Sequence, residues 1–488
     1  MKGGRPTCTC NGAPTITVAR EIRHRGAAYV KMDTSKIEGD STMRKFVNLR
    51  FSAAAVLPAL LLTACAGGQG GSSASPEEKK PSTEPVELSF YYSGGNYGEQ
   101  RFMETIGNPI MKKYPHISMK YYQTSKANGS EGLTLADAVA TGVPIDVLYA
   151  SLSNVSQSLQ PFGLQYDHAD LIKRNRFDLN SLVPQAVDSL KGLGGGALYG
   201  LPVAVGSLYL YYNKDLFDKF GVSYPQKGLT WDQLYDLTKK MARTEGGVKY
   251  RGLAIGWTYM ATFNPMGAGL VDPATNKALF AKDEKWQKLV SNLIRFYNIP
   301  GNEVDAESAR WKNQFDEFTK GTAAMMLTAN NLSRDWNGRV DVASFPVSPD
   351  KPGVGGGLIP NFFGVTSISK HKDEAFQAIA FLASKEYQLQ QARIGSGSLP
   401  VIDDPQIRAE YSKDNAWMQE RNINVSGWFP ERFADAYTVT PYDGRANAAF
   451  VAEMEKLSAG TVADVNTALR QAAEAADKAI EAQISAGK

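Results

Sequence analysis

An α/β fold with substantially parallel sheets is what this sequence predicts, on three observations. From Val86 onward, short runs rich in β-branched and aromatic residues alternate with stretches whose apolar side chains recur at helical spacing. The composition, 43% hydrophobic and 21% charged over 488 residues, is that of a globular chain long enough for two or three domains. No cysteine follows Cys65, so neither a disulfide framework nor a cysteine metal site is available to hold the body together.

The elements follow in order. Val86–Tyr92 (VELSFYY) has strand composition. Residues 99–114 place Phe102, Ile106 and Ile110 at helical spacing, with Gly107 and Pro109 expected to interrupt the helix. Ile117–Gln123 is a second strand, and 145–150 a short, buried one. Over 230–242 the spacing of Trp231, Leu234, Leu237 and Met241 predicts a helix, opened by a capping box of Thr230 and Gln233. Ala323–Thr328 and 363–369 read as strands, and 372–384 as a helix. The last helix, 461–484, carries Val465, Leu469, Ala472, Ala476 and Ile480 on one stripe.

The N-terminal 85 residues are organised differently. Arg44, Lys45 and Arg50 precede an uncharged apolar run (FSAAAVLPALLLTA) that ends at Cys65. Basic stretch, short apolar run and small-residue exit make a secretory signal peptide over 43–64, and the run is too short to span a bilayer comfortably. Residues 65–85, rich in Gly, Ser, Pro and charge, read as a flexible tether. Residues 1–42 would make the basic region far too long, so they are expected to be spurious leader, with Met43 as the start.

Charge excludes some functions. Of 53 basic and 50 acidic residues, ten and four lie in the first 64, leaving 43 and 46 and a net charge of −3. Nothing in that balance points to nucleic acid. Signatures of metalloproteases, P-loop NTPases and serine hydrolases are absent from the sequence, and the three histidines after Cys65 (His116, His168, His371) are scattered. The run at 192–197 (GLGGGA) nominally fits a dinucleotide fingerprint but lacks the strand before and the helix after it. No catalytic residue, cofactor or metal is expected, and the chain is read as a non-enzyme.

Several collinear segments resemble a known family. These are KKYPHI at 112–117, ADAVATGVPIDV at 136–147, YGLP at 199–202, LYYNKDLF at 210–217, TWDQL at 230–234, FTKGTAAM at 318–325, GGG at 355–357 and ISKHK at 368–372. Together they resemble the family 1 extracellular solute-binding proteins, the maltose-binding-protein-like sugar receptors of ABC importers. LTAC at 62–65 is similar to the lipobox of bacterial lipoproteins. That resemblance implies cleavage before Cys65, a diacylglycerol on its thiol and anchoring to the outer face of the cell membrane.

The family resemblance implies a two-lobed, periplasmic-binding-protein-like (type II) fold with hinge crossings and a ligand cleft between the lobes. The first lobe is placed at 86–204 plus 358–400 and the second at 205–357 plus 401–488. By family position the cleft-lining residues are Tyr92 and Asn96 after the first strand, Ser151 and Ser153, Ser207 at the crossing, Trp257 and Tyr259, then Asn330 and Trp336. Trp428 and Tyr442 are outer candidates. Aromatic platforms and hydroxyl-pairing polar groups are what a sugar requires. Gly206 stands where maltodextrin receptors often carry a sugar-contacting Glu, which argues against that ligand. The implied function is capture of a carbohydrate, as a monomer, for ABC permease subunits. The alternatives are a receptor of the same fold for another polar solute and an extracellular glycoside-acting enzyme.

Overall fold

Among the described residues, ten strands interspersed with helices assemble into two five-stranded sheets of mixed direction, less parallel than the sequence predicts because several strands follow one another without a crossover helix. The computed structural model describes residues 83–94, 97–124, 132–152, 155–329, 332–395 and 397–486. The expected leader, signal peptide, Cys65 and tether up to residue 82 lie outside these, as do Asn96, Ser153 and Asn330.

The first sheet contains β1 (Val86–Tyr92), β2 (Ile117–Gln123), β3 (Val147–Ser151), β4 (Leu201–Ser207) and β10 (Leu358–Val365), in the order β2-β1-β3-β10-β4. β1 pairs parallel with β2 and β3, while β10 runs antiparallel between β3 and β4. The second contains β5 (Tyr209–Asn213), β6 (Arg243–Glu245), β7 (Val248–Ile255), β8 (Ala323–Thr328) and β9 (Val340–Ala343), in the order β6-β7-β8-β5-β9. β7 and β8 are parallel, and β5 is antiparallel to both β8 and β9.

Most expected elements are present, with shifts that have local causes. The helix expected over 99–114 is broken, as Gly107 and Pro109 require, into Glu99–Phe102 and Asn108–Lys113 with a wider π-helical stretch between them. β3 starts at Val147 rather than 145, because the buried Asp146 side chain accepts from Ser89 N at 3.0 Å and from Ser369 Oγ at 2.6 Å. β10 begins at Leu358, five residues before the strand expected over 363–369, since its pairing with β4 reaches back to the crossing. It ends at Val365, and Thr366–Ser369 fold back onto Asp146 and Ile145.

The helices used below are α1 (Pro184–Leu193), α2 (Lys214–Phe220), α3 (Trp231–Met241), α4 (Trp257–Thr262), α5 (Glu284–Ile294), α6 (Trp311–Thr319), α7 (Lys372–Leu382), α8 (Lys385–Ile394), α9 (Asp443–Ser458) and α10 (Val465–Ser485). The capping box on α3 forms as the sequence indicates, with Thr230 N donating to Gln233 Oε1 at 2.9 Å. Asn213 caps α2 by accepting from the backbone N–H groups of Asp215 and Leu216. α7 stops at Leu382 because Ser384 serves as the N-cap of α8. The last helix starts at Val465, four residues later than expected, because Asp464 caps it.

Two cores result. One fills the first lobe and continues onto one face of the second sheet through Tyr209, Tyr211, Trp336 and Trp428. The other lies on the opposite face of the second sheet, under α3, α5, α9 and α10.

Candidate functional site

Only Leu208 separates the end of β4 from the start of β5, so the chain leaves one sheet and enters the other within a residue. The return to β10 passes through Gly355, Gly356 and Gly357. Ser207 donates its hydroxyl to the Gly357 carbonyl at 2.8 Å, joining the outgoing and returning segments. A third segment runs alongside: Gly355 N donates to Arg432 O at 2.9 Å, and Ala434 N to Gly356 O at 3.1 Å. The glycines allow this packing. A Cβ on Gly356 would stand 2.9 Å from Leu208 Cβ, and one on Gly355 2.8 Å from Pro430 Cβ.

This three-stranded crossing fixes which edges of the sheets meet. The ends of β1, β3 and β4 (Tyr92, Ser151, Ser207) and the start of β10 form one edge. The ends of β7 and β8 and the start of β5 form the other, with Tyr209 next to the crossing. Carboxyl ends of strands where the chain changes sheet are where α/β proteins bind ligands.

Tyr92, Ser151, Ser207 and Tyr259 are brought to this junction. Tyr92 lies between two parallel rings, Tyr149 at 4.1 Å and Tyr97 at 4.9 Å, so both its faces are covered and its edge is what remains. Burial, followed by Tyr149, pushes the Tyr92 phenol far above its ordinary range. Ser151 is half-buried at the end of β3, opposite Asn361. Ser207 is buried and engaged with Gly357. Tyr259, half-buried on α4, meets Trp311 edge-on at 5.5 Å.

The tryptophans are elsewhere. Trp257 is the first residue of α4 and is buried, its indole N–H donating to Ser458 Oγ at 2.9 Å. Trp428 is fully buried, its N–H donating to Tyr211 Oη at 3.1 Å. Trp336 is enclosed edge-on by Tyr211, Phe315 and Phe318, and its neighbour Asn337 bonds to Thr319 and Lys320 just before β8 begins. That is the end of β8 away from the junction. Tyr442 is half-buried immediately before α9 and packs on the second core.

Sequence reasoning missed a polar cluster beside the junction. Residues 434–442 pass in front of α4, with Tyr437 Oη donating to the Thr262 carbonyl at 3.4 Å. Asn447 on α9 donates through Nδ2 to Thr262 Oγ1 at 3.0 Å and to Thr258 Oγ1 at 3.2 Å. Thr440 donates to Asp443 Oδ1 at 2.6 Å. A narrow cavity here is walled by Leu152 and Ser189 from the first lobe, Thr262 from the second and Tyr437 from the passing segment. Burial, opposed by the Thr440 hydrogen bonds, pushes the Asp443 carboxyl up to about 7. Burial, and then Asp443, pushes the Tyr437 phenol well above its usual range. The cluster and its cavity offer hydroxyls, amides and the two carboxyls of Asp443 and Asp435, and among the described residues no Lys or Arg takes part. The sequence signal was the placement of Asp443 and Asn447 one turn apart on a helix whose buried positions are Ala446, Phe450, Glu453, Met454, Leu457 and Ser458.

Comparison with known proteins gives a family and a fold. Residues 96–389 match the family described as bacterial extracellular solute-binding protein. A putative binding protein of Brucella abortus is 28% identical over 269 residues, covering 50% of this chain and 58% of the relative, so the chain spans just over half the length of that relative. The arabinooligosaccharide-binding protein of Bacillus subtilis is 25% identical over 361 residues, covering 70% of this chain and 77% of the relative. A sugar transporter of Rhizobium etli, solved in an open conformation, superposes with a TM-score of 0.64 at 18% identity, covering 80% of this chain and 99% of that one. At that identity the likeness is one of fold, and the fold is the two-lobed α/β architecture of periplasmic binding proteins.

Proposed function

Because this chain belongs to the bacterial extracellular solute-binding protein family, we propose that it captures a carbohydrate in the cleft between its lobes and delivers it, unchanged, to the permease of an ABC importer. The observation that carries this reading is the junction itself. Two sheets share a narrow three-segment crossing, and the groups beside it are hydroxyls and amides, such as Ser189 from the first lobe and Thr262 and Asn447 from the second, with the carboxyls of Asp435 and Asp443. A neutral sugar presents many hydroxyls and no charge, and buried polar groups that can pair with it provide specificity. The relatives that match along the chain are named as binding proteins, one for arabinooligosaccharides and another for mannitol.

A non-sugar polar solute is the second reading. A phosphodiester or an acidic peptide calls for cations at the junction, and among the described residues the cluster around Asp443 and Asn447 contains none, whereas a polyamine calls for carboxylates, which Asp443 and Asp435 provide. Within the first lobe, Tyr92 and Asn96 at the end of β1 and Ser151 and Ser153 at the end of β3 are proposed to meet the solute. In the second lobe, Tyr259, Asn330 and Tyr442 are proposed for that role. Trp257, Trp336 and Trp428 would act behind the site as packing.

We further propose that the exported chain is held at the cell membrane by a lipid on Cys65. Among the described residues no helix is long and apolar enough to cross a membrane. Mass analysis of the mature N-terminal peptide tests this: a diacylglycerol adduct on Cys65 is expected, and an intact peptide running through residues 60–70 would exclude it.

Thermal unfolding in the presence of mono-, di- and oligosaccharides, polyols, uronates and peptides tests the receptor reading. A solute at about 100 times its dissociation constant adds roughly 2.7 kcal/mol of stability. A stabilising sugar recovered unchanged supports the receptor, a cleaved sugar favours the enzyme, and stabilisation by charged solutes alone favours the second reading.

A further inference from the structure

Trp311 opens α6, whose other end leads through residues 320–322 into the start of β8. Its ring lies at the opposite end of that sheet, the end that reaches the junction. Gly256, the first residue past β7, donates its N–H to Leu327 O near the end of β8 at 3.1 Å. A Cβ on Gly256 would stand 3.1 Å from Trp311 Cζ3 and 2.7 Å from Tyr259 Cδ2. Both rings therefore rest on the backbone at the carboxyl end of β7, where only glycine leaves them room. They meet at 5.5 Å with their planes 84° apart, which makes an aromatic corner.

Trp311 is held without being enclosed. Glu455 on α9 accepts its backbone N–H at 3.2 Å, serving a helix whose N-cap residue Arg310 makes no side-chain cap. The ring is half-buried, and among the described residues its indole N–H has no acceptor. The other tryptophans differ. Trp257, Trp286 and Trp428 are fully buried and donate their N–H groups within the protein. Trp231 and Trp336 are buried. Trp417 is half-buried, but the guanidiniums of Arg334 and Arg421 lie 5.6 and 5.0 Å from its ring.

A half-buried indole with a spare donor, at strand ends beside the crossing, suits the C–H face and the hydroxyls of a sugar ring. We propose that Trp311 is the stacking platform of the second lobe, set at its angle by Tyr259, and that the solute it selects is a cyclic sugar. An acyclic polyol has no flat face to lay on the indole and gains nothing from this corner. The proposal rests on the receptor reading given above and deepens it, by naming the platform and the ring form of the substrate.

Hydroxyl-radical footprinting of the full chain with maltotriose, arabinotriose or mannitol, read by peptide mass spectrometry, tests this, and calorimetry gives the affinity for each. A bound ring sugar is expected to lower oxidation of Trp311 several-fold and to leave Trp417 unchanged. Trp311→Ala should weaken binding of that sugar by about tenfold or more, and Trp311→Phe by less. Any affinity for mannitol should not move. The footprint needs no variant, and the melting temperature of each variant without sugar separates loss of the platform from loss of the fold. A ring sugar that binds while Trp311 is oxidised as before overturns the proposal, as does a folded Trp311→Ala of unchanged affinity. Both outcomes leave the receptor reading intact. Stabilisation by mannitol alone overturns the proposal as well, and a chain that no solute stabilises overturns both readings.

Discussion

The hydroxyl of Ser207 and the carbonyl of Gly357 meet at 2.8 Å across 150 residues of chain, at the point where two of the three crossing segments touch. Both groups are buried there. Replacing Ser207 with alanine removes the donor and leaves the carbonyl without one, so Ser207→Ala is expected to lower stability by about 1–3 kcal/mol. Urea titration checks it, with the midpoint moving and the slope unchanged.

Asp341 on β9 is a second point of convergence. Its buried carboxylate lies 2.6 Å from the Lys214 ammonium, and accepts from the Tyr212 hydroxyl at 3.1 Å and the Asn424 N–H at 2.7 Å. It therefore joins β5, the start of α2 and the segment leading to Trp428. Asp341→Asn leaves Lys214 facing a neutral amide, with an expected loss of about 3 kcal/mol. Lys214→Met in the same background should recover part of that loss, and chemical denaturation of the single and double variants measures the coupling.

His168 gives the fold an acid limit. Val365 N donates to its Nε2 at 2.9 Å, which places the ring proton on Nδ1, where it is donated to Tyr166 O at 2.8 Å. Burial depresses its pKa to about 4, opposed mainly by the hydrogen bond to Tyr166. A base with a depressed pKa in the folded state contributes stability that is fully present above the unfolded value near 6.5. That contribution is lost as pH falls towards 4, and amounts to about 3 kcal/mol over the whole window. Thermal unfolding followed from pH 7 to pH 4 should show this fall, and His168→Gln should flatten it while starting from lower stability.

Trp428 separates packing from binding. Trp428→Phe removes the indole N–H that bonds to Tyr211 and shrinks a fully buried side chain. Stability is expected to fall by about 1–3 kcal/mol. Affinity for a stabilising sugar should stay within about threefold, as measured by calorimetry well below the melting temperature. A large loss of affinity with little loss of stability would move Trp428 into the cleft.

Much of the frame was legible because it depends on local rules. Strand–helix alternation, the Thr230 capping box and the interruption at Gly107 and Pro109 are decided by neighbours within a few residues. The Gly355–Gly357 run was legible as a family block, but its physical cause, the close approach of Leu208 and Pro430, is a tertiary contact. The site was harder. Tyr92 and Ser151 end strands, so topology alone sends them to the junction. A tryptophan after a strand end can turn either way, and Trp257 and Trp428 each turn inward to a buried hydroxyl that the sequence does not reveal. Asp443 and Asn447 were missed because their unpaired oxygens exist only once residues 434–442 have packed across α4.

The place of β10 in the first sheet bears on the order in which the chain can mature. It lies between β3 and β4, yet it is made more than 150 residues after β4. A ribosome that has just finished β9 has produced four of the five strands of the first sheet without the one that joins them. The N-terminal lobe is therefore expected to stay incomplete through most of synthesis, which is the condition a chain needs if it is to be threaded through a membrane before it folds. Limited proteolysis of a chain truncated at residue 350 should accordingly find no protected first lobe.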